Sequence, residues 1–536
     1  MPGLQSCPRE ILDIIIDHLV IIIGPRAVFL RPVSRAFDSS ILDALCVRQV
    51  IDITDMYYIS SAIRGRIAEV KSRSAEAAHL HYLSVIANVN QKLDAMTGET
   101  DEELLKQRHE AVAETVYHGI SPYRAYDAKW EAQNLLSGAV IIGNLPIVKS
   151  ILAGRPESSD SLPDVNGATP YFGRPLALAA GWGHVEIVRY LLDSGARSDT
   201  ICGCHIFQGY SVTAGEDWDP KCGSSLLDAQ FEINHPATAP SALRAAVLGG
   251  YRHIVRTLLL PEYRISASKV EYLAAIAAAA RVDVDLIQIM FEAIGKSLSD
   301  YPWLGLKMML NAVEYDRKDV VQMILDKGVV YVNTAAWGSI SVPMYGTALQ
   351  VAARMGNTKM MRFLLERGAC VSLDVKPKWA LQPIESAARC GQVEAVELLL
   401  DLGADPATAL GHAADNGQIR VVKLLLDRYP DLVRSEGGDV GRLALLRALS
   451  IRNLAVVTLL AQRGVSFIER FQHGLGYYNR SLTDVIEERT WGTWVRKHLI
   501  SLGVEITDCD GHEDLYPPRL RGIKVRECTW QWAGRY

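Results

Sequence analysis

Polar and apolar positions fall into one phrase that the chain states three times between Gly346 and Asp427. It reads GTALQVAARMGNTKMMRFLLERGAC, then LQPIESAARCGQVEAVELLLDLGAD, then TALGHAADNGQIRVVKLLLD. Each copy opens on a polar residue and runs through a short apolar stretch ending in Ala-Ala. A Gly then turns the chain into a second apolar stretch ending in Leu-Leu. Apolar residues three and four apart predict helices, so the phrase predicts a helix–turn–helix pair. Such a pair cannot bury its own apolar face, and neighbouring copies must stack to share a core. The Ala pairs at Ala179-Ala180, Ala352-Ala353, Ala387-Ala388 and Ala413-Ala414 let first helices approach closely, while Leu191-Leu192, Leu364-Leu365, Leu399-Leu400 and Leu424-Leu425 bury the second helices. Gly195, Gly368 and Gly403 stand where a helix ends in the left-handed conformation.

Taking the turn residue as a marker, further copies are expected at Gly143, Gly183 and Gly250. Val282, Asp316, Gly356, Gly391, Gly417 and Arg452 continue the row, and a worn copy lies near Trp491. The intervals are 40, 67, 32, 34, 40, 35, 26, 35 and 39 residues. These phrases resemble ankyrin repeats, whose unit is about 33 residues. The resemblance runs from about Leu135 to Ile506 and is close in four copies. It implies an all-α ankyrin-repeat solenoid of about nine to ten helix–turn–helix units, preceded by a smaller helical domain. It also implies protein binding on the concave face, through the two residues before each turn glycine. Those include Trp182, Tyr315, Arg354, Met355 and Arg389, all of residue types enriched at interfaces. The arginines favour a partner segment with acidic character.

The N-terminus carries a second pattern. In CPREILDIIIDHL, residues 7–19, Ile11, Leu12, Ile15, Ile16 and Leu19 make an apolar helical stripe, and Pro8 stands where a helix begins. FLRPVSRAF, residues 29–37, follows. Together they resemble an F-box, matching it at Pro8, Glu10, Ile11, Leu12, Ile15, Leu19, Leu30, Arg31, Val33, Ser34, Arg35 and Phe37. Cys7 replaces the usual Leu, Pro32 interrupts the last helix, and the joining loop is longer than the family's. This resemblance implies docking to the adaptor subunit of a cullin-RING ubiquitin ligase through Pro8, Ile11, Leu12, Ile15 and Leu19.

The resulting organisation is an F-box-like domain over 1–50, a helical connector over 51–133, the array over 134–506 with an insertion at 200–239, and a tail over 507–536. In the connector, Thr100 is the expected helix N-cap. At 536 residues the chain exceeds one compact core. Its net charge of −5 gives no general affinity for nucleic acid. Nine scattered cysteines read as reduced thiols of a cytoplasmic or nuclear protein, and the interrupted apolar run at Ile11–Ile23 is too short for a bilayer. Cys202, Cys204, His205, Cys222 and His235 lack zinc-finger spacing, and Thr507–Asp514 lacks the spacing of a calcium loop. No phosphate loop, nucleophile elbow or His-Glu-x-x-His occurs. No catalytic residue, metal or cofactor is assigned, and His184 is expected to bond backbone of a neighbouring loop. The function implied is a substrate-recruiting F-box/ankyrin subunit. The alternatives are an ankyrin scaffold or regulator without a ligase role, and an enzyme or biosynthetic helper built on an ankyrin shell.

Overall fold

The structure, a computed structural model, describes residues 8–23, 35–48, 50, 61–74, 80–116, 128–154, 163–198, 236–239, 241–263, 270–336, 346–373, 380–433, 439–451, 453–465 and 501. They belong to two units. The first draws on Met1–Ala279 and Leu286–Ile294, the second on Ala280–Asp285 and Gly295–Arg526. Pro32, Arg452, the insertion cysteines and histidines, the worn copy near Trp491, and the tail from Thr507 onward lie outside the described residues.

In the first unit, α1 (Arg9–Ile23) and α2 (Arg35–Leu42) are followed by a π-helical turn, Asp43–Val47. Leu12, Ile16 and Val20 of α1 pack with Ile41, Ala44, Leu45 and Cys46, and Ile63 and Ile67 complete the cluster. Those last two belong to α3 (Ser61–Ser72), so the packing continues past residue 50. Arg48 clamps the outside of this cluster, donating to Asp17 at 2.8 Å. Next come α4 (His81–Thr97) and α5 (Glu102–Thr115). The cap of α5 is Asp101 rather than Thr100. Its carboxylate accepts from the backbone N–H groups of Glu103 and Leu104 at 3.0 Å each, which a hydroxyl one residue earlier does not do here.

Helix pairs then begin: α6 (Glu131–Ile141) with α7 (Leu145–Ala153), α8 (Pro175–Trp182) with α9 (Val185–Asp193), α10 (Ala242–Leu248) with α11 (Arg252–Leu258), and α12 (Val270–Ala279) with α13 (Val284–Ala293). First helices stack on first helices, α6 on α8, α8 on α10 and α10 on α12, and α4 extends the row by packing on α6. Small residues permit this approach. A Cβ on Gly138 would lie 2.4 Å from Val89 Cγ1, and one on Gly181 would lie 2.3 Å from the Ala237 backbone.

The second unit holds α14 (Pro302–Glu314) with α15 (Lys318–Asp326), α16 (Ala348–Met355) with α17 (Thr358–Leu365), α18 (Pro383–Arg389) with α19 (Val393–Asp401), α20 (Pro406–Asp415) with α21 (Ile419–Arg428), and α22 (Asp439–Ser450) with α23 (Leu454–Gln462). Their first helices also stack in order. The seam is the Ala pairs, since Ala352, Ala353, Ala387, Ala388, Ala413 and Ala414 are all fully buried. The described residues are mostly helical, as the repeated phrase predicts. Among the described residues extended backbone pairs only in β1 (Ala335–Ala336) against β2 (Gly346–Thr347), antiparallel with Ala335 opposite Thr347.

Candidate protein-binding site

The turn residue of each pair is the foundation of the candidate surface. Gly356, Gly391 and Gly417 have φ of 71°, 75° and 68°. Their bare α-carbons are also a floor for the next pair. A Cβ on Gly356 would meet Gln392 Oε1 at 2.3 Å, and one on Gly391 would meet Gln418 Oε1 at 2.3 Å. Those side chains lie there because they reach back to the preceding turn. Gln392 Nε2 donates to the Arg354 carbonyl at 3.1 Å, and Gln418 Nε2 donates to the Arg389 carbonyl at 3.2 Å. The first unit uses the same device, with His184 Nε2 2.9 Å from the Ile141 carbonyl, so His184 bonds neighbouring backbone as its position predicts. Asp316 takes a glycine position at φ 56° and replaces the open floor with a bond, its Oδ1 accepting from Asn357 Nδ2 at 2.6 Å.

This ladder fixes where the candidate partner-binding side chains stand. In the second unit, Tyr315 caps α14 and Met355 ends α16, and they are 50% and 46% exposed. The Tyr315 ring carries the Arg281 guanidinium 4.9 Å from its centroid. Arg354 is half-buried and donates to Glu314 at 3.1 Å. Arg389 is half-buried at the corresponding position of α18. Trp182 belongs to the first unit, and its indole N–H donates to Thr115 Oγ1 at the end of α5, at 3.2 Å. The polar edge of Trp182 is therefore used within the chain, while the other four candidates share the second unit.

On α1, Ile11 and Ile15 are 47% and 40% exposed, joined on the same side by Ile14 at 54% and Ile21 at 57%. Pro8 is exposed and Leu19 partly buried, whereas Leu12, at 6% exposed, faces inward with Ile16 and Val20. The helix thus has one apolar side in a core and a second in solvent.

Several positions have a role that the sequence reading did not assign. Asn166 donates to the Gly195 carbonyl at 3.1 Å and accepts from the Arg197 N–H at 2.8 Å. Asn333 repeats this with Gly368 at 2.9 Å and Cys370 at 2.8 Å. The signal was available as Val-Asn-Gly and Val-Asn-Thr, about one repeat ahead of the residues they hold. His109 is the second omission. Its Nε2 is 2.9 Å from Asp94 Oδ2 and its Nδ1 is 3.8 Å from Glu69 Oε1, so α5 is tied to α4 and α3. The Glu69 and Asp94 carboxylates raise its pKa against an opposing cost of burial. His412, on α20, goes the other way. Burial and the nearby Arg447 lower its pKa, while Glu385, with Oε2 4.0 Å from its Nε2, opposes that.

Among the described residues no three His, Cys, Asp or Glu side chains are grouped to hold a metal ion, and no helix is long and apolar enough to cross a membrane. Stacked helix pairs sharing a seam, tied turn to turn and exposing the residues before each turn, are the build of a repeat module for protein–protein interaction. Ankyrin repeats are present in this chain. A family model described as ankyrin repeats in three copies matches residues 338–408 and 387–470, and the single-repeat model matches 174–201. The chain is also similar to "Ankyrin repeat and KH domain-containing protein mask-1" of Caenorhabditis elegans, 21% identical over 360 residues, covering 61% of this chain. That match spans 12% of the relative's length.

Proposed function

We propose that this protein recruits other proteins to a ubiquitin ligase. The second unit holds the target, and the N-terminal helices dock the adaptor subunit of a cullin-RING enzyme. Target binding is carried by one observation, that Tyr315 and Met355 stand exposed beside Arg354 and Arg389 in the unit where the ankyrin match is longest. Exposed aromatic, Met and Arg side chains are the types that dominate interface energetics. On this reading the chain performs no chemistry, and its contribution to the reaction is proximity between a target lysine and the ligase.

The ligase role rests on the F-box resemblance together with the doubled apolar character of α1. A helix with one face in a core and Ile11, Ile14, Ile15 and Ile21 in water exposes a patch that a partner would cover. The test is co-purification of the adaptor with an Ile11→Asp, Ile14→Asp variant. Those side chains are 47% and 54% exposed, so the fold should survive. Adaptor should be lost with an unchanged circular dichroism spectrum and undiminished target recovery. Absence of the adaptor from the parent's own purification would leave an ankyrin scaffold without a ligase role, with the same target capture, and retention of the adaptor by the variant would move the docking surface off α1.

A further inference from the structure

Asn-Gly occurs twice in the chain, at Asn166-Gly167 and at Asn416-Gly417. In this dipeptide the backbone nitrogen of Gly can attack the Asn side-chain amide, because no Cβ on the second residue bars the approach. A C–N bond then closes a succinimide ring, and the amide nitrogen leaves as ammonia. Water opens the ring at either carbonyl, giving aspartate or a main chain rerouted through the side chain as isoaspartate. The net change is amide plus water to carboxylate plus ammonium, with no oxidant or reductant. In a folded chain its rate depends on how firmly the local structure holds the two groups apart.

The two copies are held very differently. Asn166 is bonded across repeats through both atoms of its amide. Its Nδ2 donates to the Gly195 carbonyl at 3.1 Å, and its Oδ1 accepts from the Arg197 N–H at 2.8 Å. The Gly167 N–H donates to the Asp164 carbonyl at 2.9 Å, and Gln133 Nε2 of α6 donates to the Gly167 carbonyl at 3.0 Å. Asn416 is the C-cap of α20, and its Nδ2 donates only to the His412 carbonyl of the same helix, at 3.0 Å. The Gly417 N–H reaches the Ala414 carbonyl at 3.2 Å. Its turn also lacks the tie that holds the two before it. Gln392 and Gln418 reach back to the carbonyls of Arg354 and Arg389. The next side chain in that register is Asn453, one methylene shorter, and its Oδ1 caps α23 by accepting from the Val456 N–H at 3.1 Å. Among the described residues no side chain bonds the Asp415 carbonyl.

We propose that Asn416 is a site of spontaneous deamidation in the folded protein, through attack by the Gly417 nitrogen, while Asn166 is preserved by its clamp. The site stands whether or not the second unit is the target-binding face. Its product works against the fold. A carboxylate replaces the donor to the His412 carbonyl, at the negative end of α20 and beside Asp415. An isoaspartate also lengthens the main chain by one methylene just before Gly417, whose φ of 68° sets the turn. Gln418 follows directly, so the displacement reaches the Arg389 carbonyl that it holds.

The test holds the full chain at mildly alkaline pH, which favours the deprotonated attacking nitrogen. Peptide mass spectrometry, with aspartate and isoaspartate separated by chromatography, then follows both dipeptides over time. Conversion at Asn416 should run at least about tenfold faster than at Asn166, the ratio that a difference of roughly 1.4 kcal/mol in local opening gives. In denaturant both sites lose their surroundings, and the two rates should approach each other. Asn416→Gln should stop conversion at that position and leave Asn166 unchanged. Asn416→Asp should have a lower denaturation midpoint than Asn416→Gln. Equal rates in the native protein, faster conversion at Asn166, or conversion of Asn416 in denaturant alone would overturn the assignment. Equal midpoints for Asn416→Asp and Asn416→Gln would overturn the destabilising effect of the new carboxylate.

Discussion

Two histidines place opposite pH dependences in the two units, and the signs follow from their neighbours. His109 lies between Glu69 and Asp94 and has a raised pKa, so its charged form is the one the fold favours. Its stabilisation is fully present below the unfolded value of about 6.5 and is lost as pH rises through the folded value. His412 has a lowered pKa because burial and Arg447 disfavour its charge. The unfolded chain then takes up the proton first, and stability is lost as pH falls below about 6.5. Thermal midpoints of the parent and of His109→Gln should converge as pH rises and diverge as it falls. For His412→Gln the variant should gain on the parent as pH falls. The same direction of change in both variants would contradict these environments. Neither role could be read from the chain alone. His109 is one of several connector histidines with no pattern around it, and its carboxylate partners come from two other helices.

The turn glycines carry two constraints that substitution can separate. Gly368 ends α17 at φ 85° with nothing within 4 Å of a would-be Cβ. Gly391 has φ 75° and Gln418 Oε1 2.3 Å from that position. Gly368→Ala should cost about 1–2 kcal/mol for the left-handed backbone alone. Gly391→Ala should cost that and about 0.5–1.5 kcal/mol more, because Gln418 must leave the Arg389 carbonyl. Chemical denaturation midpoints would show the difference, and equal losses would mean that the inter-pair bond contributes nothing. At the seam, Ala388→Leu should cost about 1–3 kcal/mol by overpacking. At this scale the sequence was most informative. Period, turn glycines and Ala-Ala seams follow from local pattern, and the helices lie where that pattern puts them. The partners of Gln392 and Gln418 were not legible in single copies, since these side chains reach into a neighbouring repeat 38 and 29 residues away.

Division of labour between the units is the question for the whole molecule. A row of residues before turn glycines reads in sequence as one continuous groove from Trp182 to Arg389. Spacing alone gives Trp182 the same standing as Tyr315 or Met355, because it stands in the same register. What separates them is a contact the register does not contain: α5, more than sixty residues earlier, ends on Thr115 and takes the Trp182 indole N–H. Tyr315 also has such a contact, with Arg281 some thirty residues earlier, but it and Met355 remain about half exposed. Trp182→Phe keeps an aromatic ring at the position but trims the indole and removes that hydrogen bond, for a loss of about 0.5–3 kcal/mol in stability. Its recovery of target proteins from a tagged pull-down should match the parent. Tyr315→Ala, Met355→Ala removes two half-exposed side chains and the Arg281 contact on Tyr315, so stability should fall by only about 0.5–1 kcal/mol while target recovery falls. The pair of variants thus separates target recovery from stability. Loss of targets in Trp182→Phe at unchanged recovery in Tyr315→Ala, Met355→Ala would transfer the recognition surface to the first unit.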